Sequence, residues 1–270
     1  MSFRERKSSI ARFGIILLVL LLIAGPCAWF FGWATIAVLE AQYTGWKVPI
    51  TKKFPIPLRD ESVTQSSGIN QALCGYRFDV PWVDLDESRT KAFPHATVLY
   101  FKSGPALMAK CFPAKEFVNG FLSSTGMKTD DFRRTFGDTS LQSDLALTRL
   151  MLETTPSKIT LQTREQDAAG ALSMLVVKAI ATPPADSGIF SIHTGEFEGF
   201  QYGDPELAPK RVVVTLFAPD GSLEFTFFLD HTDKSTRVLQ PDINRVLQTA
   251  HKDASQSAHL TLSSAPPAAP

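Results

Sequence analysis

From Phe13 to Leu39 the chain carries no formally charged residue (FGIILLVLLLIAGPCAWFFGWATIAVL). At 1.5 Å per residue, a helix of this run would reach roughly 40 Å, enough to cross a hydrocarbon core of about 30 Å with some tilt. The pattern predicts a transmembrane helix over 13–39, kinked at Pro26, with Trp29, Phe30, Phe31 and Trp33 near the far interface. Arg4, Arg6, Lys7 and Arg12 precede the run, and Lys47, Lys52 and Lys53 follow it. That bias predicts a single-pass protein of the cytoplasmic membrane, with residues 1–12 inside and the rest outside. A cleaved leader with its apolar region over 13–24 is the rival reading. The continuing apolar pattern and the lack of a small-x-small site count against it. Pro26 directly before Cys27 counts against lipidation.

Beyond the apolar run, residues 40–72 read as a connector. Pro49, Pro55 and Pro57 favour extended backbone, and 59–71 (RDESVTQSSGINQ) is polar. A folded domain is expected over 73–252. Tyr76, Phe78 and Val80 alternate with Arg77 and Asp79, the period of a half-buried strand. TVLYFK (97–102) and ALMAKCF (106–112) flank Ser103-Gly104-Pro105 and read as a hairpin. Leu141, Leu145, Leu147, Leu150, Met151 and Leu152 give a helical stripe ended by Pro156, and 165–181 reads as a buried helix. Strands are expected over 189–194, 197–202, 211–218 and 223–230. Pro219-Asp220-Gly221-Ser222 supplies turn chemistry between the last two. A closing helix runs from about Pro241 to His251, with Ile243, Val246, Leu247 and Ala250 on one face. The Ala-, Ser- and Pro-rich tail over 253–270 is too poor in large apolar residues to build a core and is expected to be disordered.

Runs of strands, then helices, then strands predict an α+β domain with an antiparallel sheet packed with helices. The element order, with GYRFDVPW opening the domain and QPDINRVLQTAHK closing it, resembles the Mog1/PsbP-type α/β/α sandwich across about 73–252. The resemblance implies a binding or assembly factor more than an enzyme. It carries no residue roles.

Composition narrows the function classes. Lys+Arg and Asp+Glu are 27 each, so the formal net charge is zero, which argues against a polyanion or nucleic-acid binder. Apolar residues at 44% and charged residues at 20% are ordinary for a globular protein. Three cysteines exclude a disulfide-dense scaffold.

Candidate chemistry is sparse. Cys74 leads the first strand and Cys111 ends the hairpin, so a disulfide between them is possible, with two buried thiols as the alternative. The acidic group Asp84, Asp86 and Glu87 fails the EF-hand test, because Arg89 stands where glycine is needed. Ser88-Arg-Thr-Lys91, Ser143-Asp144 and His193-Thr194-Gly195 echo penicillin-binding motifs. Pro94 lies too close after Lys91, and Leu145 replaces the asparagine. His95, His193, His231, His251 and His259 show no H-x-x-x-H spacing, and no cofactor or metal is expected. The segment FEGFQYGDP places Phe197, Phe200, Gln201, Tyr202 and Asp204 together as a candidate ligand or partner surface. The alternative is a core strand, in which Phe197 and Phe200 share a face only if Gly199 forms a bulge.

The resulting expectation is a membrane-anchored, non-enzymatic domain that binds a protein partner or helps assemble an envelope complex. The alternatives are an envelope hydrolase with a scattered site near His193 or His231, or a small-ligand domain with 200–202 at its mouth.

Overall fold

A computed structural model describes residues 32–182, 188–207, 210–229 and 237–253. Eleven strands and six helices are seen among them. The main sheet has eight strands in the order β1 (Ile56–Pro57), β7 (Ile189–Thr194), β8 (Phe197–Tyr202), β9 (Arg211–Ala218), β10 (Gly221–Phe228), β6 (Ala106–Pro113), β5 (Ala96–Tyr100) and β4 (Lys91–Phe93). A second sheet orders β11 (His251–Lys252), β3 (Tyr76–Val80) and β2 (Ile69–Leu73). The main sheet is mixed, not wholly antiparallel as expected, because β1 runs parallel to β7.

Alternation sorts the side chains. On β9, Val212, Val214 and Leu216 face one layer, while Val213 and Phe217 face the other. The first layer holds the small sheet and α6 (Gln240–Thr249), with Phe78 set edge-on to Phe225 at 5.0 Å between ring centres. The second layer is helical: α2 (Glu116–Thr125), α3 (Thr129–Phe136), α4 (Asp144–Glu153) and α5 (Glu165–Ala181). One cover is therefore part sheet and part helix, where the sandwich expectation has helices alone.

The helical layer is fixed by buried polar groups. Ser143 caps α4, its Oγ accepting from the Ala146 N–H at 3.1 Å. The buried Asp144 carboxylate reaches across and accepts from the Val118 N–H at 2.9 Å, satisfying a first-turn donor of α2. Lys178 on α5 is wholly buried, and its ammonium donates to the carbonyls of Thr51, Lys53, Leu152 and Thr154.

The expected membrane span is overturned. Among the described residues no helix is long and apolar enough to cross a membrane. Residues 13–31 of the run lie outside the described residues. Residues 32–39 begin α1, which runs to 47 and includes Glu40 and Lys47. Ala37 and Ala41 of α1 are buried in a cluster with Ile159, Ala168 and Leu175, so this helix spends an apolar face on the protein itself. An uncharged run records hydrophobicity, not what covers it. The transmembrane helix, the signal-anchor reading, the membrane as partner, and the single-pass, N-terminus-inside, extracytoplasmic location all rest on that span and fall with it.

The 40–72 segment is more structured than a connector. It holds the end of α1, a 3₁₀ turn at Pro49–Lys52, β1 and β2. Its polar stretch is pinned by the Asn244 amide, which donates to the carbonyls of Asp60 at 2.8 Å and Ser62 at 2.7 Å. The tail over 254–270, Asp230 and His231 lie outside the described residues.

Candidate functional site

Two places concentrate exposed chemistry. The first is the outer edge of β7. β1 pairs with it only at Phe190 and Ser191, and the Leu58 N–H then donates to the Ser191 carbonyl at 3.1 Å. That bond shows that the Ser191 backbone faces outward. By strand alternation the N–H and C=O of His193 face the same way. Among the described residues no strand pairs with Ile192–Thr194 on that side. β1 is only two residues long, Ile56–Pro57, so its pairing with β7 goes no further.

A cleft of about 690 Å³ opens along this edge, with Leu58, Asp60, Glu61, Arg149, His193 and Gln248 among its walls. A second cleft of about 620 Å³ shares Arg149, Ser191, Ile192 and Glu198 with it and continues toward Glu153 and Lys158. Arg149 is tied to Glu198 at 2.7 Å, and the His193 ring lies 3.8 Å from the same carboxylate. With Arg149 so neutralised, Asp60 and Glu61 leave the first cleft acidic.

The second place is a sulfur corner. Cys74 and Cys111 form a disulfide with Cα atoms 6.4 Å apart, an ordinary span for such a bond. Cys74 (φ 53°) and Gly75 (φ 80°) are the two turn residues joining β2 to β3, both left-handed as a tight hairpin of this hand requires. His95 sits in the two-residue turn joining β4 to β5, and its carbonyl accepts from the Cys111 N–H at 3.0 Å. Its Nδ1 lies 3.9 Å from Sγ of Cys74 and 3.8 Å from Sγ of Cys111. An open cleft of about 930 Å³ runs beside the corner past Tyr76, Phe93, Phe112 and Asp220. Burial, then the Asp220 charge and its 3.1 Å hydrogen bond, push the Tyr76 phenol up to about 12.

No family model, curated protein or solved structure matches this chain. The resemblance of element order to Mog1/PsbP-type domains therefore carries no function over, and the site's own groups must speak for it.

The structure buries most of the candidate surface in the FEGFQYGDP segment. Phe197 is fully buried toward the small sheet, while Phe200 and Tyr202 are buried under the helices. β8 pairs in unbroken register with β7 and β9, so Gly199 makes no bulge and the two phenylalanines take opposite faces. Gln201 is also buried. Its amide exchanges hydrogen bonds with Gln240 at 2.7 and 3.0 Å, fastening β8 to the start of α6. Asp204 folds its carboxylate onto the Glu206 N–H at 2.8 Å. Tyr202 and Phe217 do line a cavity of about 300 Å³ between sheet and helices, at the small end of ligand pockets.

The acidic trio is likewise local structure. Asp84 accepts from the N–H and hydroxyl of Ser103, and Asp86 from those of Ser88, the Ser88 hydroxyl bond leading the causes that hold the Asp86 carboxyl below its usual range. Sequence reasoning did not find Arg149, Asp60, Glu61 or the role of His95. Arg149 shares a cleft with the adjacent Asp60 and Glu61 across a long separation with no spacing motif. The Pro94-His95 turn between two alternating strands was the one local signal for His95.

Proposed function

We propose that this domain is a non-enzymatic binding module that takes an extended polypeptide segment as an added strand along the free edge of β7. One observation carries the reading: the β1–β7 ladder ends at Ser191, no other strand among the described residues takes its place, and the backbone of His193 faces an open cleft. An exposed row of backbone donors and acceptors is a template for another chain. Strand addition uses it, with main-chain bonds giving affinity and alternate side chains giving selectivity. The acidic wall of Asp60 and Glu61 favours a segment with basic side chains on the face turned toward it.

The test is selection of peptides from a random display library on the full chain, followed by amide hydrogen exchange with the best binder. The expected result is new protection at Ile192–Gly195. The His193→Pro variant removes the outward N–H and should lose binding, while His193→Ala keeps it. Protection confined to other surfaces, or equal binding by His193→Pro, would overturn the proposal.

A further inference from the structure

The sulfur corner carries chemistry that the β7 edge does not use. Its three side chains hang from positions fixed by backbone pairing: Cys74 in one hairpin turn, His95 in another, and Cys111 on β6. Their ligand atoms lie within 4.8 Å of one another, and Cys74 and His95 are exposed. Zinc takes thiolate at about 2.3 Å and imidazole at about 2.0–2.1 Å. A tetrahedral angle then asks for roughly 3.6 Å between nitrogen and sulfur. The observed separations of 3.9 and 3.8 Å already stand within a few tenths of an ångström of that figure. His95 needs almost no movement. Only the two sulfurs must part, to about 3.8 Å from one another by the same geometry.

We propose that Cys74, His95 and Cys111 form a redox-gated site for a thiophilic d¹⁰ cation, closed while the disulfide is intact and able to bind once it is reduced. The bookkeeping of the step is simple. A dithiol gives two electrons and two protons, becomes a disulfide itself, and leaves two cysteine thiols. The divalent cation then displaces both thiol protons and binds two thiolates and the neutral imidazole through Nδ1. A fourth position remains open toward the 930 Å³ cleft, where water or a ligand from solution reaches it. Three protein ligands and one open place are the pattern of a reactive or exchangeable zinc site, as distinct from a closed structural one.

The experiment uses the full chain, reduced with a phosphine under argon, with Co²⁺ as the spectroscopic probe and Zn²⁺ as competitor. The reduced protein should bind one equivalent of Co²⁺ with a thiolate charge-transfer band, and Zn²⁺ should displace it. The oxidised protein should bind none. His95→Gln should weaken binding at least about tenfold and alter the visible spectrum, while His251→Gln, at an exposed histidine outside the cluster, changes neither. Circular dichroism follows the fold throughout. If reduction unfolds the chain, Zn²⁺ should restore the spectrum, as binding energy becomes folding energy. The proposal fails if the reduced, folded protein takes up no cation, if Zn²⁺ fails to restore a chain unfolded by reduction, or if His95→Gln binds as the parent does.

Discussion

The ammonium of Lys178 donates to the carbonyl oxygen of Leu152 at 2.6 Å, joining the last turn of α5 to the end of α4 through carbonyl acceptors. Three further carbonyls, at Thr51, Lys53 and Thr154, complete its surroundings at 3.4, 2.6 and 2.9 Å. These are the carbonyls at the end of one helix and at the 3₁₀ turn of 49–52, where chain ends leave acceptors without intrahelical donors. One side chain thus serves acceptors in two separate segments and ties both to its own helix.

Lys178→Met keeps the length of the side chain and removes its donors. Stranded buried acceptors cost about 1–3 kcal/mol each, and some will find water. A loss of roughly 3 kcal/mol is expected, read as a fall in the urea midpoint with the slope m unchanged. A loss below about 0.5 kcal/mol would show that the four carbonyls are satisfied without the lysine.

The same residue gives a pH signature. Burial first, and the charge of Lys158 second, lower its pKa from 10.5 to about 8, so it keeps its proton at neutral pH. Between those values the unfolded chain binds a proton that the folded chain has released, so stability rises with pH from about 8. Tyr76 acts in the opposite sense. Its phenol is raised from 10.0 to about 12, so the stability it lends is whole below 10 and is lost above. The Tyr202 phenol is also raised, by burial and then by the charge of Glu224. Denaturation measured across pH 7–12 should show a maximum near pH 10, with a climb of about 1–2 kcal/mol from pH 8. In Lys178→Met the climb should vanish while the fall above pH 10 remains.

Gly199 on β8 pairs with Leu216 on β9. A Cβ there would overlap the carbonyl oxygen of Thr215 and press on the Leu216 Cα, both backbone and unable to swing aside. Gly199→Ala is expected to cost roughly 2 kcal/mol or more, a fall of about 4–8 °C in Tm for a chain of this size. An unchanged Tm would mean that the sheet relaxes there without penalty.

The disulfide clamps the small sheet to the large one across a sequence separation of 37. By loop-closure entropy, replacing both Cys74 and Cys111 with serine should lower stability by roughly 3–4 kcal/mol. Chemical denaturation of the double variant beside the parent measures it. A difference under about 1 kcal/mol would place the bond's value elsewhere than in the fold.

The strands of the main sheet were largely legible. The strand expected over 211–218 and the turn chemistry of Pro219-Asp220-Gly221-Ser222 led to the β9–β10 hairpin, although Gly221 and Ser222 prove to be the first residues of β10, and Tyr76, Phe78 and Val80 led to β3. β1 was not legible, because two residues, one of them proline, carry no period and depend on β7 for their partner. α2 and α3 also escaped notice, since their burial rests on few residues, Val118, Phe121 and Phe132, among many polar ones. The part of the apolar run that lies in α1 misled for a different reason: an alanine such as Ala37, which packs in the cluster with α5, is indistinguishable, in sequence, from an alanine that would face lipid. The site was least legible of all. Phe197 and Tyr202, offered as a candidate surface beside a core-strand reading, are core, whereas the outward backbone of His193, unpaired by any strand among the described residues, is defined by where a distant strand happens to stop.

The seating of β10 between β6 and β9 has a consequence for biosynthesis. β4, β5 and β6 leave the ribosome as a meander whose inner edge has no neighbour until β10 arrives, and β6 ends at Pro113 while β10 begins at Gly221. At about 5–20 residues per second, the intervening stretch keeps that edge bare for on the order of 5–20 s. Cys74 and Cys111 both emerge before this interval begins, so wherever a disulfide is at hand to take their two electrons by exchange, their bond closes while the sheet is still half made. The nascent chain is then a stapled fragment awaiting its central strand, and an agent that shields unpaired strand edges during those seconds would govern its yield.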